Sequence, residues 1–247
     1  MPRARKQSAQ FPLQGNVALI TGASQGIGLA IARGLARQRC HLVLTGRTLA
    51  PLEKAGRELT RTGVRVFPKT CDVRDPESVQ ALAASIREHF GRVDILVNNA
   101  GISHATMPIP KLTFELWREV IDTNLNGTFL VTREILPLMR KGSAIVNNLS
   151  IAAVRVFPGM SAYSASKHGA LALTNTLREE QRVNGIRVIA LLPGATDTRI
   201  WETFWPEAPR AKMMEPETVA QALINVLALP ENATVEELMI QPTAGPL

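Results

Sequence analysis

The stretch Asn16-Val-Ala-Leu-Ile-Thr-Gly-Ala-Ser-Gln-Gly-Ile-Gly28 decides the fold of this chain. A short apolar run ends at Thr21, three glycines follow, and helical spacing of apolar residues begins at Ile27. Glycines between a strand and a helix let the backbone approach a pyrophosphate, and the helix N-terminus favours the anion. An ordinary strand-to-helix turn is the rival interpretation. The position favours a dinucleotide site, although the glycine spacing is wider than the usual G-x-G-x-x-G.

Outward from this stretch, short apolar runs alternate with longer stretches of helical spacing. The runs predict strands at 16–21, 41–46, 64–67, 93–97, 144–147, 187–192 and 238–240. The longer stretches predict helices at 27–38, 49–62, 76–90, 114–139, 162–183 and 216–229. Continuous apolar strands separated by helices indicate an α/β fold, namely a single doubly wound parallel sheet of the Rossmann type with helices on both faces.

The length of 247 residues fits one catalytic domain of this type, with no linker or repeat dividing it. We expect a basic N-terminal tail at 1–12 and a single Rossmann-type domain at 13–247. Within it, residues 199–214 combine aromatic residues and prolines without clean periodicity. This segment is predicted to cover a substrate cleft.

Composition excludes several classes of protein. Two cysteines, Cys40 and Cys71, are too few for a disulfide framework, and the four histidines show no metal-ligand spacing, so we expect no metal and a cytoplasmic location. No apolar run approaches the ~18 residues that span a bilayer, so no membrane association is expected. The net charge of +7 suits an anionic ligand or nucleic acid, or serves solubility alone. Aromatic residues make up only 4% of the chain, which disfavours nucleic-acid stacking.

The end of the second predicted strand indicates which dinucleotide is bound. An NAD site there places an acid on the ribose 2′-hydroxyl, whereas an NADP site places an arginine on the 2′-phosphate. The chain reads Thr45-Gly-Arg-Thr48, with no acid between His41 and Glu53. Because Arg47 can pair with a phosphate in a bidentate manner, NADP is predicted and NAD is the alternative.

The single tyrosine of the chain lies at Tyr163, four residues before Lys167 in a predicted helix. This spacing places the phenol and the ammonium on one helix face. A nearby ammonium and a bound nicotinamide cation both favour the phenolate, so the phenol could exchange a proton near neutral pH. Ser150 ends the fifth predicted strand and could donate to the same carbonyl oxygen.

Together these residues resemble the short-chain dehydrogenase/reductase family over about residues 13 to 241. The motifs, in chain order, are T-G-x-x-x-G-x-G at 21–28, Cys71-Asp-Val73, Asn98-Asn-Ala-Gly101, Asp122-Thr-Asn-Leu-Asn126, Ser150, Tyr163-x-x-x-Lys167 and Pro193-Gly-x-x-x-Thr198. The interval of thirteen residues between serine and tyrosine is also the usual one for the family.

The resemblance implies roles for these positions. Tyr163 would be the general acid and base, Lys167 would hold the nicotinamide ribose and lower the phenol pKa, and Ser150 would orient the carbonyl. Asn124 would position a water that links Lys167 to solvent. The implied cofactor-binding residues are Gly22, Ser24, Gln25, Gly26, Ile27, Gly28, Arg47, Thr48, Asp72, Val73, Asn99, Ala100, Gly101, Tyr163, Lys167, Pro193, Gly194, Thr196 and Thr198.

The sequence departs from the family pattern at a few of these positions. Gln25 stands where many NADP-preferring relatives carry a basic side chain, which weakens the NADP prediction without reversing it. Asn148-Leu149 replaces the more usual Ile-Ser before the serine, and Thr196 occupies a slot often held by an apolar β-branched residue. None of these departures affects the acid/base residues.

The predicted activity is NADP(H)-dependent hydride transfer between nicotinamide and a carbonyl or secondary alcohol. A loose similarity at 214–242 to the branch with 3-hydroxy acid and serine dehydrogenases suggests a 3-oxo or 3-hydroxy acid or a 3-oxoacyl compound, with Arg155 or Arg199 as carboxylate anchor. The residues expected at the substrate are His104, Met107, Ile151, Val154, Arg155, Val156, Phe157, Arg199, Trp201 and Trp205.

Two alternatives stay open at this point. One is an NAD-linked secondary-alcohol dehydrogenase, and the other is a binding protein that senses dinucleotides or holds nucleic acid without catalysis. The resemblance also suggests a homodimer or homotetramer, paired through the helices at 114–139 and 162–183. The predicted partner is a small-molecule carbonyl compound or alcohol. No nucleic-acid partner is expected.

Overall fold

The computed structural model describes residues 11–245, so most of the predicted basic tail lies outside the described residues. Seven strands form one parallel sheet in the order β3-β2-β1-β4-β5-β6-β7. Their bounds are β1 (Val17–Thr21), β2 (His41–Gly46), β3 (Val66–Thr70), β4 (Ile95–Asn98), β5 (Ala144–Asn148), β6 (Arg187–Pro193) and β7 (Glu237–Ile240). The predicted fold class is confirmed.

Eight α-helices accompany the sheet in the described part of the chain. They are α1 (Gly26–Arg37), α2 (Leu49–Thr60), α3 (Pro76–Phe90), α4 (Phe114–Ile121), α5 (Gly127–Ile135), α6 (Ser161–Arg182), α7 (Ile200–Phe204) and α8 (Pro216–Leu227). Single 3₁₀ turns lie at Ile109–Lys111, Leu136–Leu138, Ile151–Ala153 and Arg210–Lys212. No helix within residues 11–245 is both long enough and apolar enough to cross a bilayer.

The alternation of side chains along β1 shows how the sheet is buried. Ala18 and Ile20 belong to the core that α1, α2 and α8 cover, whereas Val17 and Leu19 belong to the core beneath α3, α5 and α6. Since successive strand residues point to opposite faces, a strand that is apolar throughout fills two cores at once. The sheet therefore has helices on both faces.

Two elements differ from the sequence prediction. β3 runs past Pro68 to Thr70, and the proline is tolerated because β3 is an edge strand, where a missing ladder donor costs little. The single helix predicted at 114–139 is α4 and α5 joined by a π-helical turn at Asp122–Asn126. The spacing of apolar residues does not reveal this π-helical turn, because one extra residue in a turn hardly changes which residues share the apolar helix face.

The sheet has a topological switch point between β1 and β4. The chain adds β2 and β3 on one side of β1, and then adds β4 to β7 on the other side. In open α/β sheets, ligands bind outside the carboxyl ends of the strands at such a switch point. Thr21, Asn98 and Asn148 end β1, β4 and β5 at this edge. The fold thus brings the glycine turn and the Ser150 segment to one place.

Candidate active site

A cavity of about 1480 Å³ opens at this edge of the sheet. Nearly all the predicted cofactor and catalytic residues line it, and Gly28 and Asn124 are the two that do not. The lining residues from that set are Gly22, Ser24, Gln25, Gly26, Ile27, Arg47, Thr48, Asp72, Val73, Asn99, Ala100, Gly101, Ser150, Tyr163, Lys167, Pro193, Gly194, Thr196 and Thr198.

The glycine turn needs backbone conformations that other residues adopt with strain. Gly22 and Gly26 have φ of 63° and 55°, in the left-handed region that favours glycine. A Cβ at Gly26 would lie 3.2 Å from the Thr198 methyl carbon across the cavity. A Cβ at Gly22 would lie 3.0 Å from the Ala100 Cα. The turn is therefore a cradle that side chains would fill, which suits a close approach of a phosphate to the backbone.

Asn99 fastens this turn to the end of β4. Its Nδ2 donates to the Thr21 carbonyl at 2.9 Å and to the Gly22 carbonyl at 3.1 Å. The Thr21 hydroxyl accepts in return from the backbone N–H groups of Asn99 and Ala100, each at 2.9 Å. A Cβ at Gly28 would overlap the Asn99 amide and the Gly22 carbonyl oxygen, so the absence of a side chain at Gly28 permits this close contact.

Basic side chains line the end of the cavity near β2. Arg47 is exposed there, and no carboxylate within residues 11–245 forms an ion pair with it. Arg33 and Arg74 line the same end but are bound, Arg33 to Glu58 at 2.8 Å and Arg74 to Asp72 at 2.6 Å. Arg47 is therefore free to pair with a ligand phosphate.

Asp72 lies at the cavity wall after β3. Its carboxylate accepts from the side chain and the backbone N–H of Arg74. These hydrogen bonds hold the pKa of Asp72 below its ordinary value, so the group is ionised at neutral pH. An ionised carboxylate accepts hydrogen bonds and can receive them from an adenine amino group.

Tyr163, Lys167 and Ser150 meet at the other end of the cavity. Tyr163 and Lys167 share one face of α6, with the Lys167 Nζ 5.6 Å from the centroid of the phenol ring. Lys167 is 6% exposed, and its Nζ donates to the Asn148 carbonyl at 3.0 Å. Ser150 follows β5, and its hydroxyl accepts from the Ala152 N–H at 3.1 Å. The sequence spacing predicted this convergence.

Burial controls the protonation of these side chains. It raises the pKa of Tyr163, and hydrogen bonding with Ser150 opposes this shift without overcoming it. It also lowers the pKa of Lys167 to about 8. In the free chain, burial therefore has the larger effect on the pKa of Tyr163, and the predicted acidification of the phenol by Lys167 together with a bound nicotinamide cation stays a prediction.

Asn124 lies within the π turn and is buried beneath the site. Its Nδ2 donates to the Ile102 carbonyl at 2.9 Å and to Ser166 Oγ at 3.0 Å. Its Oδ1 accepts from the Ile102 N–H at 2.9 Å. The side chain thus ties the loop after β4 to α6, and its predicted role in a proton relay stays a prediction.

The predicted substrate residues divide into two groups. Ile151, Phe157, Arg199, Trp201 and Trp205 line the cavity. The other five are not among its lining residues: Val154, Arg155 and Val156 are exposed, the His104 ring is buried against the Ala105 carbonyl, and Met107 donates its backbone N–H to Gly159. Proximity in sequence to the site residues therefore did not suffice to place these five side chains in the cavity lining.

Sequence reasoning missed several lining residues. At the substrate end these are Thr106, Met160, Ile200 and Phe204. Phe204 follows Trp201 by three residues on α7, so helical spacing could have found it. Thr106 carries no comparable signal, because its place depends on a hydrogen bond to the distant Phe204 carbonyl at 2.9 Å.

Comparison with known proteins identifies the family. Residues 16–208 match the short chain dehydrogenase family, and the chain belongs to it. A sepiapterin reductase of Chlorobaculum tepidum is 36% identical over 239 residues, which cover 93% of this chain and 97% of that protein. A glycine betaine reductase of Emericella nidulans is 36% identical over 96% of this chain, but the chain spans only 19% of that longer protein. Both relatives are reductases by name, which confirms the prediction that this chain is an oxidoreductase.

Solved structures agree with this assignment. An alcohol dehydrogenase from the archaeon Thermococcus sibiricus, complexed with 5-hydroxy-NADP, superposes with a TM-score of 0.87 at 35% identity, covering 95% of this chain and 99% of that one. An actinorhodin polyketide ketoreductase with NADPH gives a TM-score of 0.82 at 34% identity, covering 92% and 96%. The bound cofactors of both structures support the NADP prediction.

The low pKa of Lys167 predicts a pH-dependent stability. Between pH 8 and its ordinary value of 10.5, the folded chain binds fewer protons than the unfolded chain. The buried ammonium therefore lowers stability below pH 8, and this cost disappears as the pH rises toward 10.5. Lys167→Met should raise the free energy of unfolding at pH 7 by about 1 to 3 kcal/mol, with the gain shrinking above pH 8.

Urea unfolding of the ligand-free protein at several pH values measures this difference. Lys111→Met, at an exposed lysine, is the matched control and should show no such pH dependence. A Lys167→Met variant that loses stability equally at pH 7 and pH 10 would show that the ammonium is not desolvated.

Proposed function

We propose that this chain is an NADP(H)-dependent oxidoreductase that interconverts a carbonyl compound and a secondary alcohol. The observation that carries the proposal is a single cavity lined by the glycine turn, by unpaired Arg47, and by Ser150, Tyr163 and Lys167. A dinucleotide site and an acid/base site in one cavity are what hydride transfer requires.

The cofactor fits the residues present. The glycine turn at the N-terminus of α1 offers backbone N–H groups and a helix dipole to the pyrophosphate. Arg47 faces the end of the cavity where a 2′-phosphate would be neutralised, and the absence of an acid at the end of β2 removes the group that would repel it. Lys167 would hold the nicotinamide ribose. When bound, NADPH supplies the hydride.

The chain's own residues handle the proton. Tyr163 donates its phenolic proton to the carbonyl oxygen during reduction, while the Ser150 hydroxyl donates a hydrogen bond to the same oxygen. In the oxidative direction the phenolate accepts the proton. Because burial raises the pKa of Tyr163 in the free chain, the phenol is protonated at neutral pH and ready to act as an acid. Lys167 adds a positive charge that favours the phenolate left behind.

The proposed substrate class includes 3-oxo and 3-hydroxy acids and 3-oxoacyl compounds. The similar actinorhodin enzyme is a polyketide ketoreductase, which supports an oxo group on an acyl chain. Of the two arginines predicted as carboxylate anchors, Arg199 lines the cavity and Arg155 does not. If Arg199 binds a carboxylate of the substrate, kcat/KM should be higher for a 3-oxo acid than for its ester.

The alternatives lose support from these observations. An NAD-linked secondary-alcohol dehydrogenase would need an acceptor for the ribose 2′-hydroxyl near β2, where Arg47 stands instead. A binding protein without catalysis would not need Ser150, Tyr163 and Lys167 at one end of a dinucleotide cavity. A cytoplasmic location stays a prediction, and Cys40 and Cys71 are both free and buried.

We also propose self-association through α4, α5 and α6 to a homodimer or homotetramer. Phe114 of α4 and Phe129 of α5 are 69% and 46% exposed. Large exposed apolar side chains on neighbouring helices are typical of a protein interface. Sedimentation that showed only single chains of 26.9 kDa would exclude this proposal.

Tyr163→Phe tests the acid/base assignment. The ring and its packing are retained while the proton is lost, so NADPH-dependent turnover of a ketone panel should fall by about 10²- to 10⁴-fold. NADPH binding, measured by fluorescence titration, should be nearly unchanged. His168→Gln changes an exposed side chain of the same helix and should leave both quantities unaltered. Full turnover by Tyr163→Phe would disprove the assignment.

Arg47→Asp tests the cofactor preference. Loss of one charge-assisted contact to a phosphate costs about 2 kcal/mol, so the ratio of kcat/KM for NADPH to that for NADH should fall at least about 30-fold. Arg61→Asp introduces the same charge change at an exposed position of the chain outside the cavity lining. An unchanged ratio in Arg47→Asp would remove Arg47 from phosphate recognition.

A further inference from the structure

The half of the cavity beside Ser150 and Tyr163 is bounded by apolar side chains, which we call the apolar wall. Four of its members belong to α7 and the residue after it, and two precede Tyr163 in the chain. They are Phe157, Met160, Ile200, Trp201, Phe204 and Trp205. Met160 lies one turn before Tyr163 in the chain, and both residues line the cavity.

Two polar groups of the wall already have partners within the protein. The Trp201 Nε1 donates to the Thr196 carbonyl at 2.8 Å, and the Thr106 hydroxyl donates to the Phe204 carbonyl at 2.9 Å. Apart from Lys167, Arg199 is the one charged lining residue, among those described, outside the adenosine end of the cavity, and it is exposed. A polar substituent placed against this wall would lose its water and find few partners.

The wall is held in place before any substrate binds. The Trp201 and Phe204 rings lie 4.4 Å apart between centroids, and Trp205 lies 6.3 Å from Trp201. The Arg210 guanidinium contacts the Asp197 carboxylate and donates to the Thr198 carbonyl at 2.8 Å, which fixes the segment leading into α7. Trp205 is still 41% exposed, so it offers a large aromatic area at the mouth. A fixed apolar surface binds a matching group with little ordering cost.

We infer that the substrate carries a bulky apolar substituent, aryl or alicyclic, on one side of its carbonyl and that the apolar wall binds this substituent. The inference rests on the proposed function, because the wall is defined by its place next to the Ser150 and Tyr163 hydroxyls. Burial of such a substituent removes apolar area from water on both surfaces. The wall then selects the ketone by its substituent, while Ser150 and Tyr163 act on the carbonyl that all ketones share.

Three 3-oxo esters with the same reacting ketone test the inference. Ethyl 3-oxobutanoate presents a methyl group, ethyl 3-oxo-4-phenylbutanoate presents a benzyl group, and the monoethyl ester of 3-oxopentanedioic acid presents a carboxymethyl group. The dissociation constant of each for the protein with NADP⁺ is measured by tryptophan fluorescence, and kcat/KM is measured with NADPH. The benzyl ester should have a dissociation constant at least about 10-fold lower and a kcat/KM at least about 10-fold higher than the methyl ester. The carboxymethyl ester should bind most weakly and be reduced least efficiently.

Trp205→Ala locates the effect at the wall. The variant should lower the ratio of benzyl to methyl efficiency about 10-fold. Phe204→Leu, which keeps apolar volume but removes a ring, should lower the ratio in the same direction. Glu202→Ala, at an exposed residue of α7 outside the cavity lining, is the matched control and should leave the ratio unchanged.

The two measurements separate the two proposals. Preferential binding of the benzyl ester without any turnover would support the apolar wall and count against the proposed function. Normal turnover with equal dissociation constants for the methyl and benzyl esters would overturn the inference and leave the function intact. Tightest binding of the carboxymethyl ester would also overturn it, in favour of an anionic anchor at Arg199.

Discussion

The hydrogen bonds that join the end of β1 to the end of β4 set the geometry on which the site depends. The Thr21 hydroxyl accepts two backbone N–H groups, and the Asn99 amide donates to two backbone carbonyls, all within the interior of the molecule. Each of these groups would cost stability if it were left unpaired in this setting. The glycine turn is therefore held against the loop after β4, and that loop is in turn held to α6 through Asn124.

This chain of contacts means that the cofactor end and the acid/base end are not independent. Asn148 shows the same connection from β5: its Nδ2 donates to Asn99 Oδ1 at 2.8 Å, and its backbone carbonyl accepts from the Lys167 ammonium at 3.0 Å. The asparagine that departs from the usual family residue thus contacts both the residue that supports the glycine turn and the lysine of the acid/base set.

Desolvation is the main electrostatic effect at the acid/base end. It keeps Tyr163 protonated and weakens the preference of Lys167 for its charged form. Both shifts disfavour charge in the free chain, so the ion pair of phenolate and ammonium is costly until further positive charge enters the site. At neutral pH the phenol of the free chain is therefore in its acid form.

The sequence alone determined the features that depend on local spacing. Continuous apolar runs between stretches of helical spacing predicted the parallel sheet, and the glycines after β1 marked the phosphate turn. The interval between Tyr163 and Lys167 placed both groups on one face of α6. Tertiary structure decided what depends on distant segments, such as the use of Asn99 and Asn124 as structural ties and the cavity position of Thr106. It also turned Arg155 away from the cavity and raised the pKa of Tyr163, because the direction of a loop and the burial of a side chain arise from the packing of elements far apart in the chain.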